Sequence, residues 1–225
     1  MKNIIAFGDS IVKGVSLEDG RYRVNPQRFT TILEDRMNIL IENKGQMGAT
    51  VMQLGKAIKR SIETLTKPEY DTIILSYGGN DCDYDWQAIS EAPEEPHFCK
   101  TIIEQFTQEY KRIILKLKDM GKQVFLLSLP PIDAHRYFRF ISRDRNADAI
   151  LGWLRGDISH LMKWHEMFNL AVFKIGAAAK AKVLDITSCF FSKPNYKKLL
   201  CEDGIHPNSE GHLLIADTIA MLLSA

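Results

Sequence analysis

Ala6-Phe7-Gly8-Asp9-Ser10 closes the first apolar run of the chain and carries a serine into a turn. Residues 2–7 predict a short buried strand, because the apolar residues are followed directly by turn-forming ones. Residues 11–14 then leave room for a single helical turn. A serine held there, beside free backbone N–H groups, is well placed for nucleophilic catalysis. When the stretch is taken alone, helix capping by Asp9 or Ser10 is the simpler explanation.

Size and charge argue against several classes of protein. The chain has 225 residues, enough for one sizeable core, and 29 Lys+Arg balance 28 Asp+Glu. Without a basic tract, neither nucleic acid nor an anionic membrane surface is an expected partner. No apolar stretch is long enough to span a membrane and no export signal precedes Gly8, so a cytoplasmic protein is expected. The sequence gives no indication of oligomeric state.

Cysteine and histidine spacing does not suggest a metal site. The four cysteines are dispersed and form no Cys-x-x-Cys pair, which favours reduced thiols. His160 and His165 are too isolated for zinc binding, and at least one of them is expected on a helix surface. No metal and no cofactor is therefore predicted.

Strands alternate with helices along the chain. Strands are predicted at 2–7, 39–41, 72–77, 123–129 and 182–186, and helices at 27–38, 50–65, 97–120, 158–181 and 208–223. Loops are expected at 15–25, at 82–96 and, with short helical pieces over the mouth of the fold, at 132–157. A solvated connection with aromatic anchors explains that last segment equally well. The alternation predicts a single α/β domain over residues 1–225, a three-layer α/β/α arrangement around a doubly wound, five-stranded parallel sheet.

Polar residues follow the predicted strands at one edge of this sheet. Ser10 follows the first strand, Gly48 the second and Asn80 the third, while Asp203 and His206 lie just before the last helix. Ligands of doubly wound sheets bind beyond the carboxyl ends of the strands, so these residues are expected at one rim. Acyl transfer by a serine needs a base, a group that orients the base and donors for the oxyanion, and this set has a candidate for each. Turn formation or capping explains each residue singly, but not their common placement.

Four blocks of the sequence resemble the SGNH hydrolases, also called the GDSL family, of esterases and lipases. The blocks are Phe-Gly-Asp-Ser at 7–10, Asn-Lys-Gly-Gln-Met-Gly at 43–48, Gly-Gly-Asn-Asp at 78–81 and Asp-Gly-Ile-His-Pro at 203–207. They occur in the family's order over nearly the whole chain, with Ile11 where the family often has leucine. The resemblance implies a flavodoxin-like fold of the SGNH-hydrolase type and a small-molecule ester as substrate.

The resemblance also assigns roles to individual residues. It implies that Ser10 is the nucleophile, that His206 is the general base and then the general acid, and that Asp203 orients His206. The oxyanion hole would consist of the backbone N–H groups of Ser10 and Gly48 and the side-chain amide of Asn80. The neighbouring carboxylates at 9 and 81 are expected to form structural hydrogen bonds beside the site.

The substrate is less well defined by the sequence. Asp83, Tyr84 and Trp86 follow the loop that carries Asn80, and rings beside carboxylates suit a polar substrate such as an acylated sugar. Pinning of the loop by Trp86 explains the tryptophan equally well. Because no long apolar face suggests an acyl channel, short acyl groups such as acetyl are predicted, although the arginine-rich segment 136–145 could meet an anionic leaving group. A lysophospholipase or acyl thioesterase with the same triad, and a non-catalytic binding module, are the alternatives.

Overall fold

The computed structural model describes residues 3–224, so residue 2, where the first predicted strand begins, lies outside the described residues. The strands are β1 (Asn3–Gly8), β2 (Val15–Glu18), β3 (Arg21–Val24), β4 (Ile41–Gly45), β5 (Tyr70–Ser76), β6 (Gln123–Leu127) and β7 (Lys182–Leu184). The α-helices are α1 (Ser10–Lys13), α2 (Phe29–Met37), α3 (Val51–Arg60), α4 (Ile62–Thr66), α5 (Trp86–Glu91), α6 (Ile103–Asp119), α7 (Ala134–Ile141), α8 (Ala147–Trp153), α9 (Ser159–Ala179), α10 (Thr187–Phe191) and α11 (Ser209–Ser224). A short 3₁₀ helix covers Tyr196–Leu199.

The central sheet has five parallel strands in the order β4-β1-β5-β6-β7. Counted along these five strands the order is 2-1-3-4-5, which is the flavodoxin-like arrangement and confirms the predicted fold class. The chain reverses its winding direction between β1 and β5. The loops that follow these two strands therefore border the crevice in which such sheets bind ligands.

Helices cover the sheet on both faces. On one face α3, α6 and α9 bury apolar residues such as Leu54, Phe106 and Val172. On the other face α2 and α11 bury Leu33 and Ile219. Alternate residues of β1 belong to the two clusters, which is why this strand reads as an unbroken apolar run. Among the described residues, no helix combines the length and the apolar character that crossing a membrane would need.

Residues 15–25, expected as a loop, instead form an antiparallel hairpin of β2 and β3. Asp19 and Gly20 connect the strands, with φ of 50° and 70°. Two-residue hairpin turns of type I′ require positive φ at both positions, and Asp-Gly is among the pairs that adopt it readily. This pair was the available signal for a hairpin, and the many charges around it favoured the wrong interpretation.

The helix predicted at 97–120 begins only at Ile103. The backbone N–H groups of Lys100 and Thr101 donate to the carbonyl oxygens of Asp83 and Asp81, at 2.8 and 3.0 Å. These bonds tie the segment to the loop after β5 and keep it out of the helix. The contacts are long-range, so helical periodicity alone could not indicate where α6 starts.

Other boundaries also differ from the prediction. The helix predicted at 50–65 is divided at Ser61 into α3 and α4, and the loop at 82–96 contains α5. The second strand of the sheet lies at Ile41–Gly45 rather than 39–41. It pairs only with β1, so it is an edge strand and tolerates polar residues. Helices α7 and α8, hereafter the cap, confirm short helical pieces within 132–157.

The cap packs through an apolar cluster of its own. Ile141 and Ile150 of the cap are buried with Trp86 and Ile89 of α5 and with Leu161 near the start of α9. This cluster lies beyond the carboxyl ends of β5 and β6, where α5 and α9 are connected to the sheet. The cap therefore covers the edge at which the predicted site residues were expected.

Candidate active site

Ser10 is held at the start of the single turn of α1, directly after β1. The side chain of Asp9 accepts a hydrogen bond from the backbone N–H of Ile11 at 2.9 Å and so caps this turn. Ser10 itself is 7% exposed. A short helix that is anchored to a central strand gives the serine hydroxyl a defined position without restricting access from the edge of the sheet.

Ser10, His206 and Asp203 form one hydrogen-bonded series. His206 Nε2 lies 2.9 Å from Ser10 Oγ, and His206 Nδ1 lies 2.6 Å from Asp203 Oδ2. Asp203 Oδ1 accepts the backbone N–H groups of Ile205 and His206 at 3.1 Å each. Since Nδ1 donates its hydrogen to the carboxylate, Nε2 is left to accept the serine proton. The structure thus brings these three residues together, as predicted. Asp203 and His206 lie within one turn, and Ser10 precedes them in the sequence by 193 and 196 positions.

The turn that joins Asp203 to His206 requires glycine. Gly204 has φ of +76°, and a Cβ there would lie 2.7 Å from the carbonyl oxygen of Asp133. A residue with a side chain would be strained in this conformation and would clash with the start of the cap. Asp-Gly, read from the sequence as a turn pair, is thus the local reason that the carboxylate and the imidazole face each other.

Asp203 remains a carboxylate at neutral pH. Burial acts to raise its pKa, but the hydrogen bond from His206, the charge of that imidazole and the two backbone N–H groups together lower the pKa below its ordinary value of 3.8. Its side chain is fully buried. An ionised, immobile carboxylate can fix the imidazole in one tautomer and stabilise the imidazolium that forms when a proton is accepted.

The three predicted oxyanion donors lie around the same cavity. Gly48 and Asn80 line it together with Ser10. Within the described residues, the backbone N–H groups of Ser10 and Gly48 have no hydrogen-bond partner. Asn80 Nδ2 donates one hydrogen bond to Asp9 Oδ2 at 3.2 Å, which leaves its second N–H available. An anion beside Ser10 would thus have three neutral donors to accept from.

Two buried carboxylates support these donors. Asp9 accepts from Ile11 and Asn80, and Asp81 accepts the backbone N–H of Val51 at 3.0 Å, at the start of α3. Burial raises the pKa of each to about 6, with the hydrogen bonds opposing that shift. Both residues hold helix termini and loops in place, the structural role expected for them.

A mostly apolar cavity of about 290 Å³ opens beside Ser10. It extends from the loops after β1 and β5 to the cap and the start of α9. Its lining includes the predicted substrate residues and mostly apolar residues of the segment after β6, of the cap and of α9: Asp83, Tyr84, Trp86, Leu129, Ile132, Tyr137, Phe140, Ile141, Leu161 and Trp164. Aromatic and aliphatic groups with a few polar ones are typical of small-molecule sites.

Asp83 uses its carboxylate within the protein. It accepts hydrogen bonds from Trp86 Nε1 at 2.8 Å, from Tyr137 Oη at 2.5 Å and from Lys100 Nζ at 2.7 Å. Trp86 is 7% exposed and packs against the cap. These contacts favour the interpretation in which the tryptophan pins the loop, and they leave Asp83 little capacity to accept sugar hydroxyls. Tyr84 and Trp86 do line the cavity, and their contact with substrate stays a prediction.

Two residues of the site were not identified from the sequence. Tyr22, on the hairpin, packs edge-on against the His206 ring, with the centroids 5.3 Å apart and the planes at 63°. The sequence signal for its position was the Asp-Gly pair of the hairpin, in the segment 15–25 that was expected to be a loop. His165, one of the two histidines of which at least one was expected on a helix surface, has a side chain only 8% exposed and lines the cavity. Leu161, His165 and Phe168 share one helical stripe, a spacing that indicated the buried side of α9.

The chain is similar in sequence to one family and in structure to several solved proteins. The model of the GDSL-like lipase/acylhydrolase family matches residues 6–214. No curated protein sequence matches the chain. A lipase/acylhydrolase from Enterococcus faecalis superposes with a TM-score of 0.70 at 17% identity, covering 99% of this chain and 95% of that one.

Two esterases are among the other structural matches. An acetylxylan esterase from Geobacillus stearothermophilus gives a TM-score of 0.67 at 16% identity, covering 98% of this chain and 93% of that one. The acetyl xylan esterase AlAXEase gives 0.65 at 19% identity, covering 98% and 99%. At these identities the likeness establishes a shared fold.

Proposed function

The chain belongs to the GDSL-like lipase/acylhydrolase family, and from that premise we propose that it is a serine hydrolase that cleaves carboxylic esters through an acyl-enzyme. The observation that carries the proposal is the series Ser10–His206–Asp203, with distances of 2.9 and 2.6 Å, at a cavity that Gly48 and Asn80 also line. A binding module without catalysis has no need for a serine, an imidazole and a carboxylate in series.

In the proposed mechanism His206 Nε2 takes the hydroxyl proton as Ser10 Oγ attacks the ester carbonyl carbon. The carbonyl oxygen becomes an oxyanion and accepts hydrogen bonds from the N–H groups of Ser10, Gly48 and Asn80. His206 then gives its proton to the alkoxy oxygen, the carbon–oxygen bond breaks, and the alcohol leaves an acyl group on Ser10. Water then attacks the acyl carbon while His206 takes its proton, and return of that proton to Ser10 Oγ releases the carboxylic acid. Asp203 keeps the imidazole oriented throughout.

The finer substrate assignment has two sources. The sequence predicts a short acyl group, such as acetyl, on a polar or carbohydrate-like alcohol, and two structural neighbours carry the name acetyl xylan esterase. A polar alcohol on the His206 side of Ser10 is part of our proposal. Lysophospholipids and acyl thioesters, the alternatives for the same triad, belong in the same substrate panel.

Labelling of Ser10 tests the proposed function directly. A fluorophosphonate should modify the wild-type protein at Ser10, and Ser10→Ala should lose both the label and the hydrolysis of an activated ester, by about 10⁴-fold or more. Ser192→Ala, at an exposed serine outside the cavity, is the matched control and should behave as wild type. A fully active Ser10→Ala protein would end the serine mechanism.

A further inference from the structure

The cavity beside Ser10 extends well beyond the reach of an acetyl group. Its volume is about 290 Å³, and a water molecule in the liquid takes about 30 Å³, so about ten atoms of that size fit inside. An acetyl group adds one methyl to the reacting carbonyl. The rest of the cavity must therefore hold another part of the substrate or remain unused.

The geometry of the triad indicates which part of the substrate this is. His206 precedes α11, which packs on one face of the sheet, while α9 packs on the opposite face. Because the imidazole protonates the leaving oxygen, the alcohol lies on the His206 side of Ser10. Placement of the acyl group on the other side of Ser10, toward the first turns of α9, is part of the proposal below. The inner end of the cavity is formed there by Leu161, Trp164 and His165.

The walls of this inner end are apolar and ring-rich. The ring of Tyr84 contacts two tryptophan rings, with its centroid 5.7 Å from that of Trp86 and 5.0 Å from that of Trp164. Leu129 and Leu161, which are 3% and 4% exposed, line the same space. Such walls bind aliphatic chains and rings by burial of apolar surface and by edge-to-face contact. They offer little to a sugar, whose hydroxyls need hydrogen-bond partners.

His165 is the exception within these walls. Its Nδ1 faces Glu166 Oε1 at 3.7 Å, and this oxygen is likewise buried without a hydrogen bond, so the two atoms are paired by charge and proximity. Its Nε2, by contrast, makes no hydrogen bond within residues 3–224. The Glu166 carboxylate is held through its other oxygen, which accepts Asn169 Nδ2 at 3.1 Å. In a side chain that is only 8% exposed, an Nε2 atom without a partner is costly unless something bound in the cavity satisfies it.

Resting on the proposed function, we propose that this inner end is an acyl-binding pocket for an apolar acyl group larger than acetyl that carries a hydrogen-bonding oxygen at its far end. The rings of Tyr84 and Trp164 contact the apolar body, and His165 binds the terminal oxygen. This proposal differs from the acetyl group that the sequence predicts, and the ester series below decides between the two. The residues named for the pocket come from three separated segments, at 84–86, 129 and 161–165, so no single apolar run in the sequence indicated it.

A series of 4-nitrophenyl esters tests the size of the acyl group with the alcohol unchanged. We expect kcat/KM for octanoate and 3-phenylpropionate to exceed that for acetate by at least about tenfold, because each buried methylene contributes about 0.8 kcal/mol. A preference for acetate would overturn the pocket while leaving ester hydrolysis established. If no ester is hydrolysed and fluorophosphonate does not label Ser10, the proposed function itself fails. A faster reaction of acetates of ring-bearing alcohols, without acyl selectivity, would place the alcohol in the cavity and overturn the proposal.

Paired esters test the role of His165. The pairs are 8-hydroxyoctanoate with octanoate and 3-(4-hydroxyphenyl)propionate with 3-phenylpropionate. In the wild type the hydroxylated member of at least one pair should be preferred about tenfold in kcat/KM, the effect of one well-made hydrogen bond. His165→Leu should bring that ratio to about one, and His165→Gln should restore part of it. Met167→Ala, at a residue 52% exposed on the same helix, should leave the ratio unchanged.

The ratio of kcat/KM within each pair also distinguishes recognition of the hydroxyl group by His165 from a structural role of this residue. A merely structural role of His165 would reduce both members of each pair alike, whereas recognition changes one member only. Absence of any preference for the hydroxylated esters, or a preference that survives His165→Leu, would overturn the assignment.

Discussion

Asn80 illustrates how one side chain is prepared for two partners. One amide hydrogen donates to the buried Asp9 at 3.2 Å, and this fixes the plane of the amide. The other hydrogen is left for a ligand atom near Ser10. Asp9 in turn is held by the N–H of Ile11, so the donor is oriented by the same turn that presents the serine. Orientation before the reaction is what makes such donors effective.

Asn80→Ala should therefore lower kcat for an activated ester by about 100- to 1000-fold and change KM by less than about threefold, since the oxyanion exists only after attack. Steady-state kinetics on a single ester measure both parameters. Asn195→Ala, at an exposed asparagine outside the cavity, is the control. A large rise in KM with an unchanged kcat would assign Asn80 to ground-state binding.

Tyr22 acts on the imidazole by packing. Its ring contacts His206 edge-on at 5.3 Å and is itself flanked by Phe140 of the cap at 6.3 Å. Burial, followed by the charge of Asp203, raises the pKa of Tyr22, so the phenol stays neutral and retains its hydrogen. The ring thus limits the rotation of His206 and shields its contact with Asp203 from water.

For Tyr22→Leu we expect kcat to fall about tenfold, with KM nearly unchanged, because a positioning defect acts on the reacting geometry. Tyr22→Phe keeps the ring and should retain most of the activity. Melting temperatures of both variants check that the hairpin still folds. Equal losses in the two variants would show that the hydroxyl, and not the ring, matters.

At the scale of elements, α2 and α11 are joined by a buried histidine. His212 of α11 stacks on Phe29 of α2, with centroids 6.2 Å apart and planes at 18°, and its Nδ1 accepts the Phe29 N–H at 3.4 Å. Burial, then the charges of His206 and Arg28, lowers its pKa from 6.5 to about 4. The helix pair therefore holds a neutral imidazole, and α11 is the element that follows His206.

This pairing predicts a pH dependence of stability. The folded pKa of His212 lies below its unfolded value, so its contribution is complete above pH 6.5 and is lost as the pH falls toward 4. Between pH 7.5 and pH 5 the loss should be about 2 kcal/mol of free energy of unfolding. His212→Gln keeps an acceptor and should lack this loss in urea titrations at the two pH values.

The difference between the wild type and His212→Gln reports the contribution of His212 alone. Asp9 and Asp81 have raised pKa values near 6, so their contribution is complete below 3.8 and is lost as the pH rises through about 6. That opposite trend is present in both proteins and cancels in the difference. Parallel pH profiles for wild type and His212→Gln would contradict the prediction.

At the scale of the whole molecule, the cap is tied to the loop after β5 through one carboxylate. Asp83 accepts from Trp86, from Tyr137 of the cap and from Lys100, which precedes α6. Burial, then the charge of Asp83, raises the pKa of Tyr137 well above its ordinary value, so this phenol remains a donor. Three parts of the chain that are distant in sequence thus share one acceptor beside the cavity.

Asp83→Ala should lower the free energy of unfolding by about 3 kcal/mol, because it leaves the partly buried Tyr137 hydroxyl without an acceptor and the buried Trp86 N–H with only the weaker contact to Tyr137 Oη at 3.2 Å. Urea unfolding measures the change. The control is Asp144→Ala, at an exposed acidic residue of the segment between α7 and α8, which should have little effect. Unchanged stability with an increased KM would instead support the contact with substrate that the sequence predicted for Asp83.

The alternation of strands and helices and the residues at the sheet edge could be predicted because their signals are local. An apolar run that ends in a turn indicates a buried strand, and parallel strands bring their carboxyl ends to one edge. Ser10, Asn80 and Gly48 were placed in this way, and Asp203 reaches His206 within a single turn. The hairpin carried a local signal as well, in Asp19-Gly20, but the many charged residues around this pair favoured a loop.

The depth of the cavity, the partners of Asp83 and the burial of His165 were decided by tertiary structure. Each depends on side chains from segments such as the cap and α9 that meet only after the sheet has formed. Hydrophobic periodicity and turn-forming residues report on neighbours in the chain. These contacts instead join residues about 50 positions apart, as Asp83 and Tyr137 show. By itself the sequence determined the fold and the residues at its rim, and packing between distant segments determined the shape and polarity of the space that they enclose.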